Sequence, residues 1–136
     1  MPEPDLRPVH ERLKAIFGPY RDSLTVSKDT PEGLYLELPG YEGETWGYVG
    51  GTRLGKRYVS YYLMGVHGVP DLLDSLSPEL RRRMQGKSCF NFTAIDESLF
   101  AELADLTEKS IAAQPALTEA AVAARSARSS KGGPPA

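Results

Sequence analysis

The stretch Arg81–Phe92 reads RRRMQGKSCFNF. Its arginines suit the C-terminal end of a short helix, where cations favour the helix dipole, and Gly86 is a natural stop for such a helix. Past the glycine, Ser88 to Ala94 alternates. Phe90, Phe92 and Ala94 point one way and Cys89, Asn91 and Thr93 the other, the pattern of a strand with one apolar face. The next residues, IDESLFAELADLTEKS, open a helix with Asp96 as cap. Leu99, Phe100, Leu103, Leu106 and Ile111 form its apolar stripe. A helix end, a strand and a helix in direct succession call for a sheet with helices packed on its apolar side.

Upstream of this junction, Ser77-Pro78-Glu79 supplies a cap, a first-turn proline and a first-turn acid for the basic helix, and Pro70 to Leu76 forms another short helix. Before these lie four expected strands: Leu24 to Lys28, Leu34 to Leu38, Thr45 to Arg53 and Tyr58 to Met64. Asp29–Gly33 and Leu54–Arg57 are the turns, and connections this short make neighbouring strands antiparallel. Gly50-Gly51 lacks the context of a phosphate loop and suits a bulge or a close backbone contact. Residues 5–17 form an amphipathic helix, with Asp5 as cap, Pro8 in the first turn, and Leu6, Val9, Leu13, Ile16 and Phe17 as the stripe. His10, beside Glu11, is expected on its polar side. The expected fold is a two-layer α+β sandwich: an antiparallel sheet of about five strands, with the N- and C-terminal helices on one face.

A chain of 136 residues, 40% hydrophobic and 25% charged, suits one domain, expected to span residues 1–113. Residues 114–136, rich in Ala, Ser, Pro and Arg, lack large apolar anchors and are expected to form a flexible tail. The single cysteine excludes an intrachain disulfide, and the opening MPEPDLRP lacks the basic and apolar regions of a signal peptide, so the expected location is the cytoplasm. No apolar run reaches the roughly 20 residues of a membrane span. A net charge of -2 argues against a general polyanion binder, and no RNP-like motif is present, so nucleic acid is not an expected partner.

The segment KRYVSYYLMGVHGVPDLLDSLSPELRRRMQGKSCFNF, followed by DESLFAELADLTEKS, resembles the YdhG-like domain family of small bacterial proteins. The resemblance covers about Lys56 to Ser110, with a looser fit before it and none in the tail. It implies a frataxin-like α+β sandwich and no particular reaction or cofactor. Some relatives are labelled iron chaperones, which makes iron binding the first alternative function. Hard cations want clustered oxygen ligands. The first helix offers Glu3, Asp5 and Glu11 interrupted by Arg7, Arg12 and Lys14, so no metal ligands are assigned.

The second alternative is an enzyme built on Cys89. Lys87, two residues away on the same strand face, would lower the thiol pKa, with His67 as base. The preferred reading is a non-enzymatic binding module. Aromatic side chains in the strands (Trp46, Tyr48, Tyr62, with Tyr35 and Tyr58) must partly face away from the helices. Bordered by Arg53 and Lys87, and joined by Cys89 and Asn91, they would hold a small ligand or a partner protein.

Overall fold

A computed structural model of the chain describes the backbone of residues 5–132 and the side chains of residues 5–125. Helix α1, Arg7–Ile16, leads into a 3-10 segment, Gly18–Ser23. Strands β1 (Thr25–Thr30), β2 (Gly33–Glu37), β3 (Tyr48–Leu54) and β4 (Val59–Leu63) follow. Short helices α2 (Met64–Gly68) and α3 (Pro78–Arg81) precede β5 (Met84–Gln85), β6 (Cys89–Phe92) and the long α4 (Glu97–Gly132). The strands form one sheet in the order β1-β2-β3-β4-β6-β5, every neighbouring pair antiparallel. The fold is thus the expected α+β class, with six strands in the sheet.

The additional strand lies within the junction itself. Ser77 caps α3, its hydroxyl accepting the Leu80 amide at 3.2 Å, but the helix lasts one turn. Gly86, at φ +77°, closes a hairpin in which Met84 pairs with Phe90 and Gln85 with Cys89. A glycine expected to stop a helix instead turns a strand back, because β6 offers Met84 and Gln85 a ladder partner. β6 itself spans Cys89–Phe92, so Ser88 belongs to the turn and Ala94 lies exposed beyond the strand.

The core fills the space between the sheet and helices α1 and α4. Leu6, Val9, Leu13 and Phe17 of the first helical segment meet Leu34, Leu36, Val59, Tyr61 and Leu63 of the strands. Tyr61 joins three elements. Its ring stacks on Phe17 at 4.7 Å between centroids, and its hydroxyl donates to Thr107 Oγ1 at 2.6 Å, the Thr107 hydroxyl being directed to the Leu103 carbonyl. His10 is buried at this interface, with Nε2 2.7 Å from Thr52 Oγ1, which corrects the expectation of an exposed side chain. It stands four residues after Leu6 and three before Leu13, inside the stripe rather than beside it. Burial, reinforced by the nearby Lys14 charge, lowers its pKa and favours the neutral ring.

The expected boundary at Ala113 also needs correction. Helix α4 continues through Pro115, and its extension is docked: Gln114 Nε2 donates to the Trp46 carbonyl at 2.7 Å, and the Thr118 hydroxyl donates to the same oxygen. Leu117 packs in the space that a side chain on Gly68 would occupy, and Arg125 pairs with Glu44. Polar and small side chains, with Leu117, hold the segment in place of several large apolar anchors. Residues 133–136 of the expected tail lie outside the described residues.

Candidate functional site

Both long helices lie on one side of the sheet, so the chemistry of its other face is set by strand register. Paired residues place Lys28, Tyr35, Gly51, Tyr62, Cys89 and Gln85 in one row across all six strands, with Arg53, Ser60 and Asn91 in the row beside it. Alternation puts Leu34, Leu36, Tyr61, Phe90 and Phe92 on the helix side and these rows on the outer side. The face is open over much of its width: Tyr35 is 39% and Tyr58 40% exposed. At one end it is roofed by the loop after β2, where Glu37 accepts hydrogen bonds from the Ser27 hydroxyl at 2.6 Å and the Gly43 amide at 3.2 Å.

Gly51 shapes the middle of the row. A Cβ there would collide with the Leu34 carbonyl, and the Tyr48 hydroxyl lies just above the same spot. The register between β2 and β3 shifts at the adjoining Leu36/Glu37 step, so the glycine pair marks a bulge and a close backbone approach, as its sequence context indicated. The missing side chain lets Tyr48 fold down onto the sheet and stack on Tyr35, with ring centroids 4.3 Å apart. Burial raises the Tyr48 pKa far above the ordinary tyrosine value, and the neighbouring Tyr35, Tyr62 and Cys89 add to the shift, so the phenol stays neutral.

Two hollows lie on this face. The first, about 480 Å³, has Ser60, Tyr62, Cys89 and Asn91 within it and Arg53, Lys56, Arg57, Tyr58 and Gln85 around it. The second, about 550 Å³, is bounded by Lys28, Glu32, Tyr35 and Tyr48 and shares Arg53 and Tyr62 with the first. A neutral hydrogen-bond chain runs through the first hollow. Asn91 Oδ1 accepts from Ser60 Oγ at 2.9 Å and from Cys89 Sγ at 3.4 Å, and Asn91 Nδ2 donates to Gln85 Oε1 at 2.6 Å. The amide nitrogen of Gln85 has no protein partner among the described residues. Within the two hollows the charges are one-sided: Lys28, Arg53, Lys56 and Arg57 stand against one acid, Glu32, and none of the four has an ion-pair partner among the described residues; Asp5, which shares an adjoining hollow with Arg53 and Lys56, is paired with Arg7.

Of the residues singled out from sequence, the structure brings together Arg53, Tyr48, Tyr62, Cys89 and Asn91 on the outer face. It separates two. Lys87 sits exposed in the Gly86–Ser88 turn and does not line either hollow. Burial raises the Cys89 pKa, with the nearby Ser60 and Tyr62 hydroxyls opposing the shift, so the expected activation by Lys87 is corrected to a thiol that stays protonated. Trp46 precedes β3 in a 3-10 turn, Thr45–Gly47, not in the strand expected to begin at Thr45. Its ring lies 5.3 Å from that of His67, and its carbonyl anchors α4, so both residues belong to the helix-docking region.

Sequence reading missed Ser60, Gln85, Lys28, Lys56 and Arg57. Ser60 was legible in principle, being two residues from Tyr62 on one strand face. Gln85 was not, because its segment reads as helix. Among the described residues no three His, Cys, Asp or Glu side chains gather as metal ligands would, and no helix is long and apolar enough to cross a membrane. No protein-family model, curated protein or solved structure matches the chain.

Proposed function

We propose that this chain is a cytoplasmic, non-enzymatic binding module that takes a small anionic ligand carrying a flat ring on its outer sheet face. The observation that carries this is the charge arrangement. A chain of net charge -2 lines these hollows with four cations, unpaired among the described residues, and one acid, around a neutral, tyrosine-rich floor. Exposed charges are worth little singly, but a concave surface lined by one sign concentrates counter-ions and orients them. Tyr35, Tyr58 and Tyr62 offer rings to stack against, and the Gln85 amide offers a donor. The Cys89 thiol, protonated and surrounded by Ser60, Tyr62 and Asn91, suits a wall of this cleft better than a nucleophile. Membership in the YdhG-like family belongs to the same proposal. It is supported by the Lys56–Ser110 stretch and by the layering of helices on one side of an antiparallel sheet.

Amide chemical-shift mapping with naphthalene-2-sulfonate and its uncharged analogue naphthalene-2-methanol tests this reading. Saturable shifts are expected at Ser60, Tyr62, Cys89 and Asn91, with the sulfonate bound at least about fivefold more tightly, equivalent to ~1 kcal/mol. Arg53→Gln should remove most of that preference. Equal affinity for the two compounds, or shifts confined to α1 and α4, would overturn it.

A further inference from the structure

Resting on the anionic-ligand reading, we infer that the outer face binds a short segment of single-stranded nucleic acid across both hollows. The two hollows repeat one chemistry. Each carries an exposed tyrosine, Tyr58 in the first and Tyr35 in the second, and each has its own cations, Lys56 and Arg57 or Lys28. Arg53 and Tyr62 belong to both, so the cationic and aromatic surface is continuous from one hollow to the next. Tyr35 and Tyr62 stand on the strands either side of β3, which puts their backbones about 10 Å apart. The complement of such a surface is a linear ligand in which flat rings alternate with single negative charges. Single-stranded nucleic acid has that build: each base presents a ring face to an aromatic side chain, and each phosphodiester presents one charge to a cation.

The Gln85–Asn91 pair adds an edge-reading element. With Gln85 Oε1 occupied by Asn91, the Gln85 amino group is left to donate toward a base acceptor at the end of the row. A duplex hides its base faces and gains nothing from the tyrosines. The acidic net charge, which argued against a nucleic-acid partner, averages over the whole chain, whereas the lining of these two hollows holds four cations and one acid.

Fluorescence anisotropy at 50 mM salt, with labelled thymidine oligonucleotides of one, two, four and eight residues and an eight-pair duplex, tests the inference on the full chain. Affinity should rise at least about tenfold from the mononucleotide to the tetramer, and the duplex should bind at least about tenfold more weakly than the single-stranded octamer. Tyr35→Leu and Tyr58→Leu should each weaken the octamer about fivefold or more, and Arg53→Gln should reduce the salt slope by about 1. Both tyrosines are surface residues, and an unchanged melting temperature verifies that the variants fold. Mononucleotide and tetramer binding alike, duplex binding as tight as single strand, or no oligonucleotide binding would each overturn it. If naphthalene-2-sulfonate still binds in the last case, the anionic-ligand reading survives; if neither binds, both fail.

Discussion

Phe92→Ala should lower the free energy of unfolding by about 3–5 kcal/mol, whereas Asn91→Ala, one residue earlier, should cost about 1 kcal/mol. Phe92 is 1% exposed, lies opposite Val59 of β4, and meets the Phe100 ring edge-on at 5.2 Å between centroids. The substitution would remove a ring that joins β6 to α4 and leave a cavity that closely packed neighbours fill only in part. Asn91 faces the outer side, half-buried, and loses hydrogen bonds to Ser60 and Gln85 that water can replace. Urea titrations of the two variants give the ranking directly, provided the slope of each transition is unchanged. The opposite order would mean that the two faces of β6 are exchanged, and the site described above would then lie in the core.

A chain ending at Ala113 should melt about 8–12 °C below the full-length protein, a loss of about 2–3 kcal/mol. The truncation removes the two side chains that donate to the Trp46 carbonyl, Gln114 and Thr118, together with Leu117, which packs against Gly68. Gln114 and Thr118 are fully buried, so the truncation removes a packed interface and not a solvated surface segment. Composition alone suggests the opposite outcome, because the segment contains few large apolar residues. A melting temperature within a degree or two of the full chain would return the boundary to Ala113 and show that the docked contacts contribute nothing.

The sandwich was legible in the sequence because its signals are periodic. The stripes of α1 and α4 and the alternation of Phe90 and Phe92 against Cys89 and Asn91 follow from local geometry. What remained hidden depended on partners distant in sequence. Gly86 carries the same signal, a positive φ, whether it ends a helix or turns a hairpin, and only pairing with β6 selects the second. His10 is polar by type yet sits within the stripe, and Thr52, 42 residues away, supplies the partner that makes its burial tolerable. The candidate site was half-legible for the same reason. Alternation placed Cys89 and Asn91 on a common face, but Tyr62 joins them only through the register of β4 on β6, and the cations that give the hollows their sign come from β1, β3 and the turn after β3, which only the folded sheet brings together.

The openness and sign of the outer face can be read from the alkylation of Cys89 by two reagents of similar size, anionic iodoacetate and neutral iodoacetamide, in the native protein at low salt. With its raised pKa the thiol should react with both, more slowly than in the urea-unfolded chain at the same pH. The iodoacetate-to-iodoacetamide rate ratio should be about threefold or more above the unfolded value, because Arg53, Lys56 and Arg57 surround the approach. Arg53→Gln or added salt should pull that ratio down, and Lys87→Met should leave it unchanged. A thiol inert to both reagents until the protein unfolds, or a native ratio equal to the unfolded one, would contradict an open, positively charged cleft on the outer sheet face.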